Sequence, residues 1–97
     1  MARFDYDSWQ AKLIALELAT EVGRGILKEL IASPHTASQL SDIMEIPLPT
    51  TLFHLQRLES AGLIQSKKAL GKRLREVKLY SVPSTKIVID LGGQNDD

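Results

Sequence analysis

The chain contains no cysteine, which excludes disulfides, thiol nucleophiles, cysteine-ligated zinc and cysteine-based metal sensing together. Aromatic residues are scarce, one Trp, two Tyr and two Phe, and Trp9 reads more readily as core or interface filler than as part of a ligand cage. Apolar runs stay at a few residues, and no basic stretch followed by an apolar one opens the sequence. Neither a signal peptide nor a membrane span is therefore expected, and the reading is a cytoplasmic protein with no membrane partner. Net charge is absent as well, twelve Lys and Arg balancing twelve Asp and Glu. At 97 residues one domain fits, over 1–91, with 92–97 as a flexible tail. A chain of this size buries only about 60–65% of its unfolded surface, a thin core that leaves room for a partner subunit.

The zero balance hides a strong asymmetry. Residues 1–62 carry a net charge of −3, residues 63–80 a net of +5 and residues 81–97 a net of −2. Within the middle block Lys67, Lys68, Lys72, Arg73, Arg75 and Lys78 face a single acid, Glu76. A basic segment on an acidic body gives one face suited to a polyanion. Charge alone weighs equally for a solvated hairpin kept soluble by its lysines.

Along the chain, 8–21 is rich in helix formers and opens with a Ser8 cap. At 100° per residue Trp9, Leu13, Leu16 and Thr20 form one face, Ala11, Ile14, Ala15 and Leu18 a second, and Gln10, Glu17 and Glu21 a polar seam. A helix apolar on two sides needs two covers. A second copy of the chain across a two-fold axis supplies one, with Trp9, Leu13 and Leu16 as the dimer seam; a C-terminal segment folding back is the alternative. Gly23 reads as a break, and a second helix restarts over 24–32. Thr36-Ala37-Ser38-Gln39 is a capping box opening a third helix over 37–44. After the stiff turn Ile46-Pro47-Leu48-Pro49, a fourth helix runs from about 48 to 60 and ends before Gly62. Its wheel gives Leu48, Leu52, Leu55 and Leu58 as the buried stripe, with Thr50, Phe53, Arg57 and His54 opposite. Beyond Gly62, 63–69 and 75–82 alternate as two strands of a hairpin, Val77 and Leu79 on one face and Lys78 and Tyr80 on the other. The run 86–91 suggests a further short strand.

The fold class implied is mostly α with a small β-hairpin (α+β): a winged helix-turn-helix in α-α-α-α-β-β order with an additional C-terminal segment. Such an order suits double-stranded DNA, the fourth helix entering the major groove and the basic wing, 67–78, lying on flanking backbone or in the minor groove. The residues expected at DNA are Ser38, Gln39, Thr50, Thr51, Phe53, His54, Arg57, Lys68, Lys72, Arg73 and Arg75. His54 reads as a partly exposed donor to phosphate, since one imidazole per chain makes no metal site.

The runs Ile26-Leu27-Lys28-Glu29-Leu30, Thr36-Ala37-Ser38-Gln39-Leu40 and, above all, His54-Leu55-Gln56-Arg57-Leu58-Glu59-Ser60-Ala61-Gly62-Leu63-Ile64 resemble the ArsR-type winged-helix transcription regulators of bacteria and archaea over roughly residues 15–82. The resemblance implies a dimer built through terminal helices, a recognition helix carrying His54 and Arg57 on or near its DNA side, and control of transcription. The cysteines of the family's metal sensors are absent, so neither metal nor cofactor is expected. The leading expectation is a homodimeric, sequence-specific DNA-binding regulator. A winged-helix protein-interaction module within a larger assembly is the alternative, because fold does not fix function. No nucleophile motif or phosphate-binding glycine loop supports an enzyme.

Overall fold

The computed structural model describes residues 1–92; the expected flexible tail lies, apart from Gly92, outside the described residues. Ser8 starts the first helix as read from sequence, its hydroxyl oxygen accepting from the Ala11 N–H at 3.1 Å. This helix, α1 (Trp9–Leu18), stops three residues short of the expected end. The reason is Thr20, whose hydroxyl accepts from the Gly23 N–H at 2.9 Å and caps the next helix, α2 (Glu21–Ala32). Gly23 is thus not a break but part of the first turn of α2. A Cβ there would run into the Glu17 carbonyl oxygen, so the glycine permits the tight corner between the two helices.

The capping box at Thr36 forms as expected: Thr36 Oγ1 accepts from the Gln39 N–H at 3.2 Å and Gln39 Oε1 accepts from the Thr36 N–H at 2.9 Å. It opens α3 (Ala37–Met44), which closes on a left-handed Glu45 with φ of 54°. Ser41 then donates to the Ile46 carbonyl at 2.6 Å, fixing the turn into α4 (Leu48–Ser60), whose first turn holds Pro49.

The buried stripe of α4 is rotated from the expected one. Thr51, Leu55 and Leu58 face the core, whereas Leu48 and Leu52 are exposed. Thr51 can occupy an interior position because its hydroxyl donates to the Pro47 carbonyl at 3.2 Å, which removes the cost of burying it. Around this stripe Ile14, Ile26, Leu30, Leu40, Ala61, Leu63, Ile64 and Tyr80 complete one core.

The hairpin pairs β2 (Gln65–Leu70) with β3 (Glu76–Ser81) in antiparallel register, Lys68 opposite Lys78, around a single 3-10 turn at Lys72–Leu74. Tyr80, on the same face of β3 as the exposed Lys78, is buried. Its backbone exchanges two hydrogen bonds with His35, at 3.1 and 2.8 Å, so the turn before α3 is stitched to the base of the wing. Two further strands, β1 (Ala2–Asp5) and the expected C-terminal β4 (Ile87–Asp90), pair in parallel, Arg3 meeting Asp90 at 3.0 Å. β1 was not expected: Ala-Arg-Phe-Asp is too short to declare a period, and only a distant segment gives it a ladder. Its Phe4 packs against the core. The molecule spans 55 × 22 × 21 Å.

Candidate nucleic-acid interface

Three elements meet on one side of the molecule. The first turn of α3, the outward face of α4 and the wing, from its tip turn down β3, enclose an open concavity of about 620 Å³, lined by Ser38, Gln39, Leu48, Leu52, Lys72, Arg75 and Lys78 among others. The capping box presents Ser38 and Gln39 at its edge, both exposed, with Gln39 held by its bond to Thr36. A helix N-terminus has unpaired amide groups and a partial positive charge, and lysines and arginines across the gap add formal charge.

The wing is strongly basic and largely unneutralised. Lys68, Lys72, Arg73 and Arg75 are all exposed, as is Lys78, which was not among the expected contacts. The only acid of the hairpin, Glu76, lies 3.7 Å from Lys68 in an exposed pair of little energetic weight. Lys68 and Lys78 sit directly opposite each other in the ladder, an arrangement that costs stability in the free protein. At the tip Arg73 and Leu74 both adopt left-handed backbone, φ of 59° and 58°, a further strain.

α4 corrects the expected set of base contacts. Thr51 is fully buried and cannot reach a groove. His54 and Arg57 turn inward to a single carboxylate on α1: His54 Nδ1 lies 2.7 Å from Glu17 Oε1 and Arg57 Nε lies 3.0 Å from Glu17 Oε2. The Arg57 contact is an ion pair without a directed hydrogen bond. Glu17, read from the wheel as part of a polar seam with Gln10 and Glu21, has no exposure at all. The signal was present in the spacing, since positions 54 and 57 fall on one face of a helix, but nothing in the sequence said that this face meets α1. What α4 shows outward is Leu48, Pro49, Leu52, Phe53, Gln56 and Ser60, with Thr50 half-buried.

Behind the interface, burial, followed by the charge of Glu59, pushes the Tyr80 hydroxyl above its ordinary value of 10.0. Glu59 itself accepts a 2.6 Å hydrogen bond from Ser66 at the start of the wing.

On α1 the expected dimer seam is open. Trp9 and Leu16 are 57% and 54% exposed, and Leu13 is half-buried. No helix among the described residues is long and apolar enough to cross a membrane.

A winged helix-turn-helix with these parts defines a class. Residues 18–66 match the model of a family described as helix-turn-helix domain, and the chain belongs to that family. Its fold is that of the ArsR-type winged-helix transcription regulators. It is similar to an ArsR family transcriptional regulator at 28% identity, with a TM-score of 0.64 and 77% of each chain covered. It also shares its fold with the reduced form of HlyU from Vibrio cholerae, at 24% identity, TM-score 0.64, covering 78% of this chain and 75% of that one. A third match is a homodimeric winged helix-turn-helix DNA-binding domain from Mycobacterium bovis, at 21% identity, TM-score 0.64, covering 77% and 65%. No curated protein matches the sequence significantly.

Proposed function

We propose that this chain is a homodimeric, cytoplasmic, sequence-specific DNA-binding transcription regulator and not an enzyme. α4 enters the major groove, Ser38 and Gln39 approach phosphate from the start of α3, and Lys68, Lys72, Arg73 and Arg75 hold the flanking backbone or minor groove. The observation that carries this reading is the wing: two lysines facing each other across one ladder, on a hairpin with six bases and one acid, make physical sense when a polyanion lies against them. The second copy covers α1 at Trp9, Leu13 and Leu16; the exposed apolar surface of Trp9 and Leu16 supports this reading, and it agrees with the homodimeric state of the Mycobacterium bovis domain.

The test is fluorescence anisotropy against a mixed duplex DNA pool across a salt series, with mass in solution recorded in parallel. A dimer neutralising about three to five phosphates per protomer gives a log–log salt slope near −5 to −9. Absence of binding at low salt, together with a stoichiometric protein partner, would replace this reading by that of an interaction module.

A further inference from the structure

The exposed stripe of α4 follows helical spacing, Pro49, Leu52, Phe53 and Gln56, and it carries no charge. Leu52 and Phe53 are 44% and 52% exposed. The cations that α4 could have offered beside them are withdrawn, since both His54 and Arg57 are committed to the buried Glu17 carboxylate. Those same two groups grip Phe53. The His54 ring meets it edge-on with centroids 5.4 Å apart, and the Arg57 guanidinium lies 5.1 Å from its centroid. Phe53 is therefore an apolar side chain held in place through two partners that a buried carboxylate anchors, and it points away from the core. Leu52 lines the same concavity as Lys72 and Arg75 of the wing, so an anionic partner drawn to those cations would meet this end of the stripe.

In the major groove the one apolar feature of a base edge is the 5-methyl group of thymine. We infer that Leu52 and Phe53 read thymine methyl groups, with Gln56 one turn further along placed for the hydrogen-bonding edge of adenine, so that each half-site is specified as A·T pairs through apolar contact rather than through arginine on guanine. The inference rests on α4 lying in the major groove, and it adds what the helix discriminates there.

The experiment separates the two. A duplex is selected from random sequence with the full chain, and each thymidine of a half-site is replaced in turn by deoxyuridine, which removes only the methyl group. The expected result is at least one position per half-site at which uracil weakens binding about three- to five-fold, the effect of exposing one buried methyl. Phe53→Ala and Leu52→Ala, both at exposed positions and checked for folding by thermal melting, then bind the thymine and uracil duplexes alike, with the salt slope changed by less than about one unit. Salt-dependent binding that is equal for thymine and uracil at every position overturns the inference and leaves the DNA reading standing, as does a selected half-site without thymine. If no duplex binds at low salt, both fall.

Discussion

The Glu17 carboxylate on α1 and the His54 imidazole on α4 stand 2.7 Å apart, and this contact joins the helix proposed to form the dimer to the helix proposed to read DNA. A carboxylate removed from water is costly unless it is paired. Glu17 satisfies that requirement with His54 on one oxygen and Arg57 on the other. The orientation of α4 about its own axis is thereby fixed by a residue on a different element, and with it the direction in which Phe53 projects.

Replacing Glu17 should show both sides of that arrangement. Glu17→Ala removes the shared partner of two side chains and is expected to lower stability by about 1.5–3 kcal/mol, the range for a hydrogen bond to a charged group. Urea unfolding at neutral pH measures it. Arg57, a quarter exposed in the folded chain, is then released, and binding to mixed-sequence DNA should become more salt-dependent by about one unit per protomer. A stability loss without any change in slope would mean that Arg57 stays packed on Phe53.

The wing predicts a trade between stability and binding. Lys78→Thr relieves the facing lysine pair and places a β-branched residue in an exposed strand position, so the free protein should gain a few tenths of a kcal/mol, within the roughly 0.2–1 kcal/mol of a cross-strand pair. DNA affinity should fall uniformly across sequences, with a shallower salt slope. Thermal melting and anisotropy on the same sample check the two signs, and a loss of both would mean that Lys78 is a structural residue.

Much of this architecture was legible in the sequence, and the exceptions share a cause. Capping chemistry is local, so the Thr36 box, the Ser8 cap and the limits of α3 and α4 could be read from a few consecutive residues. The basic hairpin was legible because charge clustering needs no knowledge of the fold. What failed was the assignment of helix faces. The wheel of α4 favoured Leu48 and Leu52 over Thr51 by hydrophobicity, yet a threonine that bonds its own helix can be buried while two leucines remain outside. Glu17 was read as part of a polar seam and His54 and Arg57 as DNA-facing, since their meeting depends on how α1 packs on α4. β1 was invisible for the same reason, because its ladder is completed more than eighty positions away in β4.

The exposed face of α1 gives a test of assembly. Leu16→Glu alters a side chain that is more than half exposed, so the fold should be retained with a change within about 0.5 kcal/mol. If α1 forms the seam, sedimentation velocity should show a shift to monomers, and DNA affinity should drop because two half-sites are no longer held by one particle. An unchanged dimer mass would place the interface elsewhere.

Tyr80 predicts an alkaline limit. Its hydroxyl is raised above 10.0 by burial and then by Glu59, so the folded state resists its ionisation. Below about pH 10 the group is neutral in both states and stability is fully retained; above it the unfolded chain loses the proton first, and stability falls as pH rises toward the folded value. Tyr80→Phe should lose less stability than the parent between about pH 9 and pH 11, measured as the difference between two urea curves. Equal losses would assign the alkaline sensitivity to other groups.

Two glycines of α2, one at its corner with α1 and one facing α3, provide a matched pair of substitutions. At Gly23 an added Cβ meets backbone, the Glu17 carbonyl, whereas at Gly25 it lies 2.7 Å from Met44 Cε, the far end of a flexible side chain. Gly23→Ala therefore has to separate two helices and should cost about 2 kcal/mol or more, in the range for forced overpacking. Gly25→Ala asks only for a new methionine rotamer and gains about 1 kcal/mol of helix propensity, so it should be close to neutral. Because the Gly23 clash is with the residue that anchors His54 and Arg57, its damage should extend to the far side of α4. Quenching of the DNA response in Gly23→Ala at temperatures where the protein is still folded, with Gly25→Ala unaffected, would tie this corner to the orientation of the reading helix.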